Sequence, residues 1–494
     1  MWDKARLKET VQTKMEDYLL IVASNRQPYS HLKKGSEVVC QRQPGGLVTA
    51  LTPVMETVNG IWIGTGTSPY DRQVVDENNK IQLPPENPSF SLKRVFLSKE
   101  EMDGFYYGYS NEGMWPLSHI AYERPYFSAS DWEQYKKVNK MYADAILEEV
   151  GNRKAFVWIQ DFHLMMVAKY LRESDNPNII TSLFWHIPWP NEEVFGICPQ
   201  KNELLESLLA HDLLGFQIQY HCDNFLKAVD ASLESRIDRE KKAVSFHNHE
   251  TLVRPFPISI DFQQISDSAD EEDIEERMER LREEYGLKGK KMIFGIDRID
   301  YTKGIPDKFK AIDRFIEKRP EYKEKFVFVQ LGQVSRIQVP RYKQLNDELN
   351  SLVIDINWKH SQGSWMPINF TREYMDYKDI LALYRLADVC IVSSLHDGMN
   401  LVAKEYVAAR SDLDGVLLLS QFTGAARELE DSIIINPYDT ESFADSIAQA
   451  LAMLPEEKEK RMVKMRDIVD KNNIYRWSGR VLSNLLNFEF DEDM

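Results

Sequence analysis

Residues 389–409 read VCIVSSLHDGMNLVAKEYVAA and predict a strand, a turn and a helix in immediate succession. The apolar run Val389-Cys390-Ile391-Val392 predicts a buried strand, and the stretch from Leu401 to Ala409 has helical composition. Gly398 predicts the sharp turn between them, because glycine accepts backbone angles that other residues avoid. A strand that passes directly into a helix is the building unit of a parallel α/β sheet.

The same junction contains groups that are suited to bind an anionic sugar nucleotide. A helix that begins at Leu401 points N–H groups and the positive end of its dipole at whatever lies above the strand, which suits an anionic diphosphate. Asp397 before the turn can accept hydrogen bonds from sugar hydroxyls, and Glu405, about two turns into the helix, can reach a ribose diol. The alternative for the junction alone is an ordinary helix start with a capping aspartate.

Strand-like apolar runs alternate with helical patterns along the whole chain. This alternation predicts parallel sheets covered by helices on both faces. The predicted strands are 18–24, 155–159, 179–185, 213–216, 291–296, 326–331, 389–393, 416–419 and 433–435.

The length of 494 residues predicts at least two domains, because a single hydrophobic core stops growing near ~250–300 residues. Prolines spaced through Val253–Asp261 favour extended backbone and predict an interdomain linker. The acidic stretch Ala269–Tyr285 predicts an amphipathic helix, with apolar residues at helical spacing. These apolar residues are Ile274, Met278, Leu281 and Tyr285.

Composition excludes several classes of partner. With 61 basic and 78 acidic side chains the net charge is −17, which argues against nucleic acid and anionic membranes as partners. No apolar run approaches the ~18–20 residues that span a bilayer. Four dispersed cysteines without metal-binding spacing predict reduced thiols in a cytoplasmic protein. Homo-oligomer formation is left open.

Polar residues follow the predicted strands at the point where each strand ends. Because ligands bind at the carboxyl ends of parallel strands, these residues predict an active centre in a cleft between two domains. They are Asn25-Arg26, residues 160–163, His186, Asp297-Arg298 and His396-Asp397. Prolines after His186 fix the following loop, which favours a positioned imidazole.

Two basic residues flank one strand-to-helix turn. Arg298 and Lys303, together with a helix N-terminus, can neutralise a diphosphate leaving group without a metal. The alternative is a surface pair of basic residues at a helix start. Gly45-Gly46, near Arg26, predicts a flexible cap over a phosphate or sugar.

Aromatic residues in the first half of the chain have two interpretations, core packing or stacking on a sugar ring. They are Trp62, Tyr106, Tyr107 and Trp115. If they bind an acceptor, Arg336 could hold its phosphate. Two other motifs are predicted to be loops: residues 412–415, which only imitate a phosphatase motif, and residues 247–250, which lack a second cluster of metal ligands.

Several motifs together resemble the trehalose-6-phosphate synthase family, in order from about residue 19 to about residue 478. The motifs are Ser24-Asn25-Arg26, Gly45-Gly46, residues 158–164, 186–190, 212–216, 298–304, 397–406 and 418–426. The resemblance implies a GT-B glycosyltransferase with two Rossmann-like domains facing a cleft. Residues 1–257 with a C-terminal helix at about 475–494 would bind the acceptor, and residues 258–474 the nucleotide sugar.

The resemblance also implies the reaction and its residues. Glucose would pass from a nucleotide-glucose to glucose 6-phosphate with retention, without a metal or cofactor. His186, Asp161, Arg298 and Lys303 would be catalytic. The donor would meet Gly45, Gly46, Arg298, Lys303, Tyr384, Asp397, Gly398, Met399, Asn400, Leu401, Val402, Ala403, Lys404 and Glu405. The acceptor would meet Arg26, Trp62, Tyr106, Trp115, Asp161 and Arg336.

The sequence departs from the family pattern at four places, several of them near the acceptor side. Residues 64–67 replace a common Gly-Trp-Pro/Ser-Gly segment, Gln160 replaces a histidine, Trp189 a phenylalanine and His396 an arginine. The acceptor therefore stays open between glucose 6-phosphate and another phosphorylated compound such as glycerol 3-phosphate. A non-catalytic subunit that senses sugar phosphate is a third hypothesis, against which the intact Arg298, Lys303, Asp397 and Glu405 argue.

Overall fold

The computed structural model describes residues 2–15, 17–43 and 46–488, without the side chains at 46, 49 and 50. The chain divides into two compact units. Unit 1 contains the described residues up to Ile258 and those from Ile474 onward, and unit 2 spans Ser259–Asn473.

Unit 1 is built on a ten-stranded sheet in the order β10-β11-β12-β9-β8-β7-β1-β4-β6-β5, beside a two-stranded sheet of β2 and β3. The seven strands from β12 to β6 are parallel, and only the edges are antiparallel. The strands are β1 (Leu19–Ser24), β2 (Tyr29–Lys34), β3 (Glu37–Arg42), β4 (Ile61–Gly66), β5 (Lys80–Leu83), β6 (Phe90–Phe96), β7 (Ala155–Gln160), β8 (Ile179–Trp185), β9 (Leu213–Phe216), β10 (Arg236–Asp238), β11 (Ala243–Phe246) and β12 (His249–Pro255).

The helices of unit 1 lie between these strands in the sequence. They are α1 (Lys4–Lys14), α2 (Gly46–Val58), α3 (Lys99–Glu101), α4 (Trp115–His119), α5 (Ala129–Val150), α6 (Val167–Arg172), α7 (Glu192–Phe195), α8 (Lys201–Leu208) and α9 (Gln219–Ser232), with a π-helical segment at Met102–Met114 and 3₁₀ turns at Asp71–Gln73 and Phe162–Leu164. The central strands β7 and β8 are buried along their full length. Burial on both faces explains why they read as continuous apolar runs.

Unit 2 has a six-stranded sheet in the order β15-β14-β13-β16-β17-β18, and every neighbouring pair is parallel. The strands are β13 (Lys291–Arg298), β14 (Phe326–Gln333), β15 (Ile368–Thr371), β16 (Val389–Val392), β17 (Val416–Ser420) and β18 (Ile433–Ile435). Counted within the unit this order is 3-2-1-4-5-6, the doubly wound order of Rossmann folds, with its switch point between β13 and β16.

The helices of unit 2 are α10 (Phe262–Ala269), α11 (Glu272–Glu284), α12 (Ile305–Lys318), α13 (Pro340–His360), α14 (Tyr377–Leu386), α15 (Leu401–Ala409), α16 (Thr440–Leu451) and α17 (Pro455–Lys471), with 3₁₀ turns at Tyr301–Lys303, Pro320–Tyr322 and Gly424–Arg427. The next helix, α18 (Ile474–Leu485), belongs to unit 1. There Trp477 packs against Trp158 of β7 and Phe184 of β8, at ring distances of 4.8 and 5.0 Å.

All nine predicted strands are present, with ends that shift by at most two residues. The acidic helix is confirmed as α11, and its four predicted apolar residues are buried. The linker prediction is wrong for residues 253–255, which form the end of β12. Pro255 closes that strand, where its missing N–H removes no interior ladder bond.

Candidate functional site

The switch point of unit 2 brings two predicted segments together. Lys303 follows β13 and Asp397 follows β16, and Lys303 Nζ lies 2.5 Å from Asp397 Oδ2. Arg298 is the last residue of β13, so both predicted cations lie at the carboxyl end of one strand. Ser394 Oγ donates to the same Asp397 oxygen at 3.1 Å.

Backbone hydrogen bonds hold these two segments in register. Leu395 N–H donates to the Thr302 carbonyl at 2.7 Å, and Ser393 Oγ donates to the carbonyls of Lys303 and Gly304. Gly304 has φ +61°, and a Cβ there would collide with the Ser393 carbonyl oxygen. Glycine at 304 therefore permits the close approach that pairs Lys303 with Asp397.

The turn before α15 differs from the prediction. Asn400, with φ +101°, is the residue with the unusual backbone angle, and its side chain caps the helix by accepting from Ala403 N–H. The chain bends at Gly398, as predicted, but the alternative that Asp397 caps the helix is wrong. Asn400 Nδ2 instead donates to Asp397 Oδ2 at 3.1 Å, so the aspartate is oriented by the turn and does not cap the helix.

The loop after β17 supports the same turn from the other side. Asp397 N–H donates to the Phe422 carbonyl, and Gly424 N–H donates to the Asp397 carbonyl. A Cβ on Gly424 would collide with the Gly398 carbonyl. The motif around residue 424 is thus a backbone support for the strand-to-helix junction.

Glu405 lies about one turn into α15, not two. Its Oε2 accepts a hydrogen bond from the Tyr384 hydroxyl at 3.0 Å. Burial raises the pKa of Glu405, and the bond from Tyr384 opposes that rise. A half-buried carboxylate oriented by a tyrosine is suited to accept hydrogen bonds from a neutral diol.

The other residues predicted to bind the nucleotide sugar differ in their exposure and in their hydrogen-bond partners. Leu401 and Val402 are half-buried at the start of α15, whereas Met399 is buried. The Ala403 N–H already bonds Asn400, and Lys404 Nζ lies 2.6 Å from Glu428 Oε2. The Lys404 side chain is therefore a structural cation, and any ligand contact at 404 would use the backbone.

In unit 1 the corresponding switch point lies between β1 and β7. Ser24 and Gln160 are partners in adjacent parallel strands, so Arg26 and Asp161 follow at the same sheet edge. The exposed Arg26 accepts a hydrogen bond at its carbonyl from Ser24 Oγ. Asp161 has φ +72°, and a strained non-glycine residue at a strand end is characteristic of a functional site.

His186 is tied to this edge by two contacts. The backbone N–H of His186 donates to Asp161 Oδ1 at 3.2 Å, and the ring Nε2 lies 2.8 Å from Gln160 Oε1. Burial lowers the pKa of His186 to about 3. The ring is therefore neutral at neutral pH and able to exchange hydrogen bonds with a sugar hydroxyl.

The aromatic set separates into two groups. Tyr106 stacks on His163 at 5.8 Å, and the nearly buried Trp115 lies 6.0 Å from Phe162, so both adjoin the Asp161 segment. Trp62 is fully buried in β4 and donates to Ser24 Oγ at 2.8 Å. The prediction that Trp62 binds the acceptor is wrong, because its ring is enclosed by the core.

The two segments predicted to be loops and the predicted glycine cap have the following positions in the fold. Residues 247 and 248 form the two-residue hairpin turn between β11 and β12, and both have positive φ. The loop prediction is wrong for residues 249 and 250, which begin β12. Residues 412–415 form the loop before β17, as predicted. Gly45 lies outside the described residues, and Gly46 is the first residue of α2.

Three polar residues at these sites were not assigned from the sequence. Ser394 is the second residue after β16, and the strand-end rule could have identified it. Gln217 donates to the His186 carbonyl at 3.2 Å and also follows a strand. Tyr342, which contacts Arg336, lies inside a helix, where no local pattern marks it.

Two further observations concern ions and membranes. Within the described residues, no group of three or more His, Cys, Asp and Glu side chains is arranged to hold a metal ion. Among the described helices, none combines the length and apolar character that crossing a bilayer requires.

Comparison with known proteins identifies relatives over nearly the full chain. The profile of Glycosyltransferase family 20 matches residues 18–487. The 56 kDa subunit of alpha,alpha-trehalose-phosphate synthase (UDP-forming) from Saccharomyces cerevisiae is 33% identical over 472 residues, covering 94% of each chain. A bifunctional trehalose-6-phosphate synthase/phosphatase from Thermoproteus tenax is 34% identical, and the chain spans 63% of its length.

Solved structures give the same result. The trehalose-6-phosphate enzyme from E. coli bound with UDP-2-fluoro glucose matches with a TM-score of 0.84 and 31% identity, covering 95% of this chain and 99% of that one. An alpha,alpha-trehalose-phosphate synthase (UDP-forming) from Burkholderia xenovorans in complex with glucose-6-phosphate matches with a TM-score of 0.85 and 28% identity, covering 94% of this chain and 99% of that one.

Proposed function

Because the chain belongs to Glycosyltransferase family 20, we propose that it is an alpha,alpha-trehalose-phosphate synthase that transfers glucose from UDP-glucose to glucose 6-phosphate. It is a glycosyltransferase with the GT-B type of fold, which consists of two Rossmann-like domains. The relatives whose names specify a nucleotide product are UDP-forming, which supports UDP as the nucleotide of the donor.

The observation that carries the proposal is the Lys303–Asp397 ion pair at the switch point of unit 2, directly before α15. A nucleotide diphosphate placed here meets Lys303, Arg298 and the positive end of a helix. Glu405, held by Tyr384, lies one turn further and can accept hydrogen bonds from the ribose. Asp397, whose carboxylate is oriented by Lys303, Ser394 and Asn400, would accept hydrogen bonds from hydroxyls of the transferred glucose.

Unit 1 contains most of the residues predicted to bind the acceptor. Asp161 and His186 share a hydrogen bond at the switch point of its sheet, with Tyr106 and Trp115 beside them. Arg26 and Arg336 are the two predicted ligands of the acceptor phosphate. Their guanidinium groups suit phosphate because they can donate two hydrogen bonds in one plane.

We assign the chemistry to positioning and charge stabilisation. The acceptor hydroxyl oxygen forms a bond to the anomeric carbon while the bond from that carbon to the diphosphate oxygen breaks, and a phosphate oxygen takes the hydroxyl proton. Attack from the face that the leaving group vacates gives retention. Arg298 and Lys303 stabilise the negative charge that develops on the diphosphate, so the reaction as proposed needs neither metal nor cofactor.

The test is product analysis with a matrix of substrates. The protein is incubated with UDP-, ADP- or GDP-glucose and with glucose 6-phosphate or glycerol 3-phosphate, and products are identified by mass spectrometry and by the anomeric coupling in NMR spectra. We expect trehalose 6-phosphate with α configuration from UDP-glucose and glucose 6-phosphate. Turnover with glycerol 3-phosphate alone would show that glycerol 3-phosphate, and not glucose 6-phosphate, is the acceptor. Absence of turnover with every pair would support the hypothesis of a non-catalytic sensor. We place the protein in the cytoplasm, where nucleotide sugars and sugar phosphates are available.

A further inference from the structure

Arg336 is held in a defined position within unit 2. It follows β14, has φ +51°, and its side chain is only 6% exposed. Its Nη1 donates to the Tyr342 hydroxyl at 2.7 Å, and its guanidinium carbon lies 5.6 Å from the centre of the Tyr342 ring. A long cation that is nearly buried on an unusual backbone angle is positioned by its surroundings.

The direction of the hydrogen bonds around Tyr342 is fixed by chemistry. Arginine can only donate, so the Tyr342 oxygen accepts from Arg336. The tyrosine then uses its own proton to donate to Asp300 Oδ2 at 3.1 Å. Arg336 Nη1 also lies 3.5 Å from that oxygen, so the hydroxyl links the cation to its counter-ion.

Asp300 is itself firmly placed. It is fully buried, and its other oxygen accepts from the backbone N–H and the hydroxyl of Thr302 at 3.0 and 2.9 Å. Burial acts to raise the pKa of Asp300, but Arg336, Arg298 and the hydrogen bonds outweigh it and hold the pKa below its usual value. The carboxylate therefore stays charged as a fixed anchor for the tyrosine and the arginine.

We propose that Tyr342 and Asp300 are positioning residues that orient the Arg336 guanidinium toward the phosphate of the acceptor and so make the enzyme select a phosphorylated acceptor. This inference rests on the proposed function, because Arg336 is a phosphate ligand only if the acceptor carries a phosphate. A guanidinium is a rigid plane with donors on two edges. Fixing one edge on Tyr342 determines where the opposite edge points.

Tyr342→Phe removes one oxygen and retains the ring, which is fully buried and packs 5.3 Å from Tyr301. Without the hydroxyl between them, Arg336 and Asp300 can close directly, and the guanidinium leaves its orientation. We expect the KM for glucose 6-phosphate to rise roughly tenfold or more, as for loss of one hydrogen bond to a charged group. The KM for UDP-glucose should change by less than about twofold. General damage to the fold would instead raise the KM values for both substrates.

The matched control is Tyr406→Phe. Tyr406 is also a fully buried tyrosine of unit 2, but its hydroxyl donates to the Ala387 carbonyl at 3.0 Å, at the opposite end of β16 from Asp397. This variant should leave both KM values unchanged. It separates a specific effect on Arg336 from the general cost of deleting a buried hydroxyl.

A double-mutant cycle shows whether Tyr342 acts through Arg336. If it does, Tyr342→Phe should add little to the effect of Arg336→Ala on acceptor KM. Calorimetric titration of each folded variant with glucose 6-phosphate, and separately with UDP, gives the same comparison without turnover. Equal losses for both ligands, additive effects in the cycle, or an unchanged acceptor KM would each overturn the positioning role.

The proposed function fails in a different way. If the wild-type protein turns over glucose 6-phosphate and the Tyr342→Phe variant has the same KM for it, only the positioning role is overturned. If the wild-type protein neither turns over nor binds any phosphorylated acceptor, both proposals are overturned together. If glycerol 3-phosphate is the acceptor, the same cycle applies to its KM, and a selective rise supports the positioning role.

Discussion

Lys303 Nζ and Asp397 Oδ2 lie 2.5 Å apart, and this ion pair joins the segments that follow the first and fourth strands of unit 2. Both side chains are mostly enclosed, at 13% and 15% exposure. An ion pair at a switch point, directly before a helix N-terminus, combines a cation for a diphosphate with an acceptor for sugar hydroxyls. One contact thus orients two different donor-binding groups.

Replacing Lys303 with glutamine should remove the cation and leave Asp397 without its counter-ion. We expect kcat/KM to fall about 10²–10³-fold, the range for losing one preorganised donor to a developing negative charge. Steady-state kinetics with varied UDP-glucose measures the change. The control is Lys378→Gln, a 40% exposed lysine that pairs with Glu271 and Asp273 and should leave kcat/KM unchanged. A decrease of less than threefold for Lys303→Gln would exclude its proposed role.

Tyr384→Phe should make donor binding more sensitive to acid. Burial raises the pKa of Glu405 and the Tyr384 hydroxyl lowers it, so deleting the hydroxyl raises that pKa further. Ionised Glu405 accepts hydrogen bonds from the ribose more strongly than the protonated acid does, so the KM for UDP-glucose should increase as pH falls through the pKa of Glu405. In the variant this increase should begin at a higher pH.

A pH series of initial rates checks the Tyr384→Phe prediction. Tyr374→Phe is the control, since Tyr374 is 77% exposed and should leave the pH dependence unchanged. Identical KM profiles for wild type and Tyr384→Phe would mean that the ribose does not depend on ionised Glu405.

Most strands that are buried on both faces were predicted from the sequence, because a continuous apolar run such as Ile179–Trp185 has few alternatives. The interior strands β4 and β6 were missed although they are mostly buried, and the edge strands, such as Lys80–Leu83, were missed because they are short and half-polar. Lys303 and Asp397 were found because both follow strands. The pairing of Arg336 with Tyr342 and Asp300 was missed, since tertiary packing creates it and no local spacing encodes it.

Gln160→Glu should raise the pKa of His186. The glutamine oxygen lies 2.8 Å from the ring Nε2, so a carboxylate there would stabilise the protonated ring. We expect the pKa of His186 to move up from about 3 toward neutrality. Histidine ring resonances followed by NMR during a pH titration report this change. Gln160→Met, which adds no charge, should leave the pKa low, and equal pKa values in both variants would mean that residue 160 does not control His186.

Acid should destabilise unit 1 partly through His211. The ring is fully buried, and within the described part of the chain neither of its nitrogens has a hydrogen-bond partner. Burial, with Arg172 and His249, lowers its pKa to about 3 from 6.5. The unfolded chain therefore binds the extra proton between these values, so stability is complete above about pH 6.5 and is lost as pH falls toward 3.

Thermal unfolding at pH 7, 6, 5 and 4 measures this dependence on His211. His211→Gln, which cannot be protonated, should show a smaller drop in melting temperature over the same interval, whatever its stability at pH 7. A variant with the same slope as wild type would assign the acid sensitivity to other groups.

The backbone of Gly304 allows the close approach that brings Lys303 and Asp397 together. Alanine at 304 would carry two costs: a left-handed backbone with φ +61°, and a collision of its Cβ with the Ser393 carbonyl oxygen. Gly286 has the same φ of +61° but nothing within 4 Å of an added Cβ, so Gly286→Ala carries the first cost alone. We expect Gly286→Ala to cost about 1 kcal/mol in free energy of unfolding.

Gly304→Ala should cost about 1–3 kcal/mol more than Gly286→Ala, because a packed neighbour must move. The displaced neighbour is the backbone of the β16 loop that carries Asp397, so UDP affinity should also fall in Gly304→Ala and stay constant in Gly286→Ala. Chemical denaturation gives the first comparison and calorimetric titration with UDP the second. If Gly304→Ala loses stability but retains UDP affinity, the close approach at residue 304 serves folding alone and the donor site tolerates a shift of this loop.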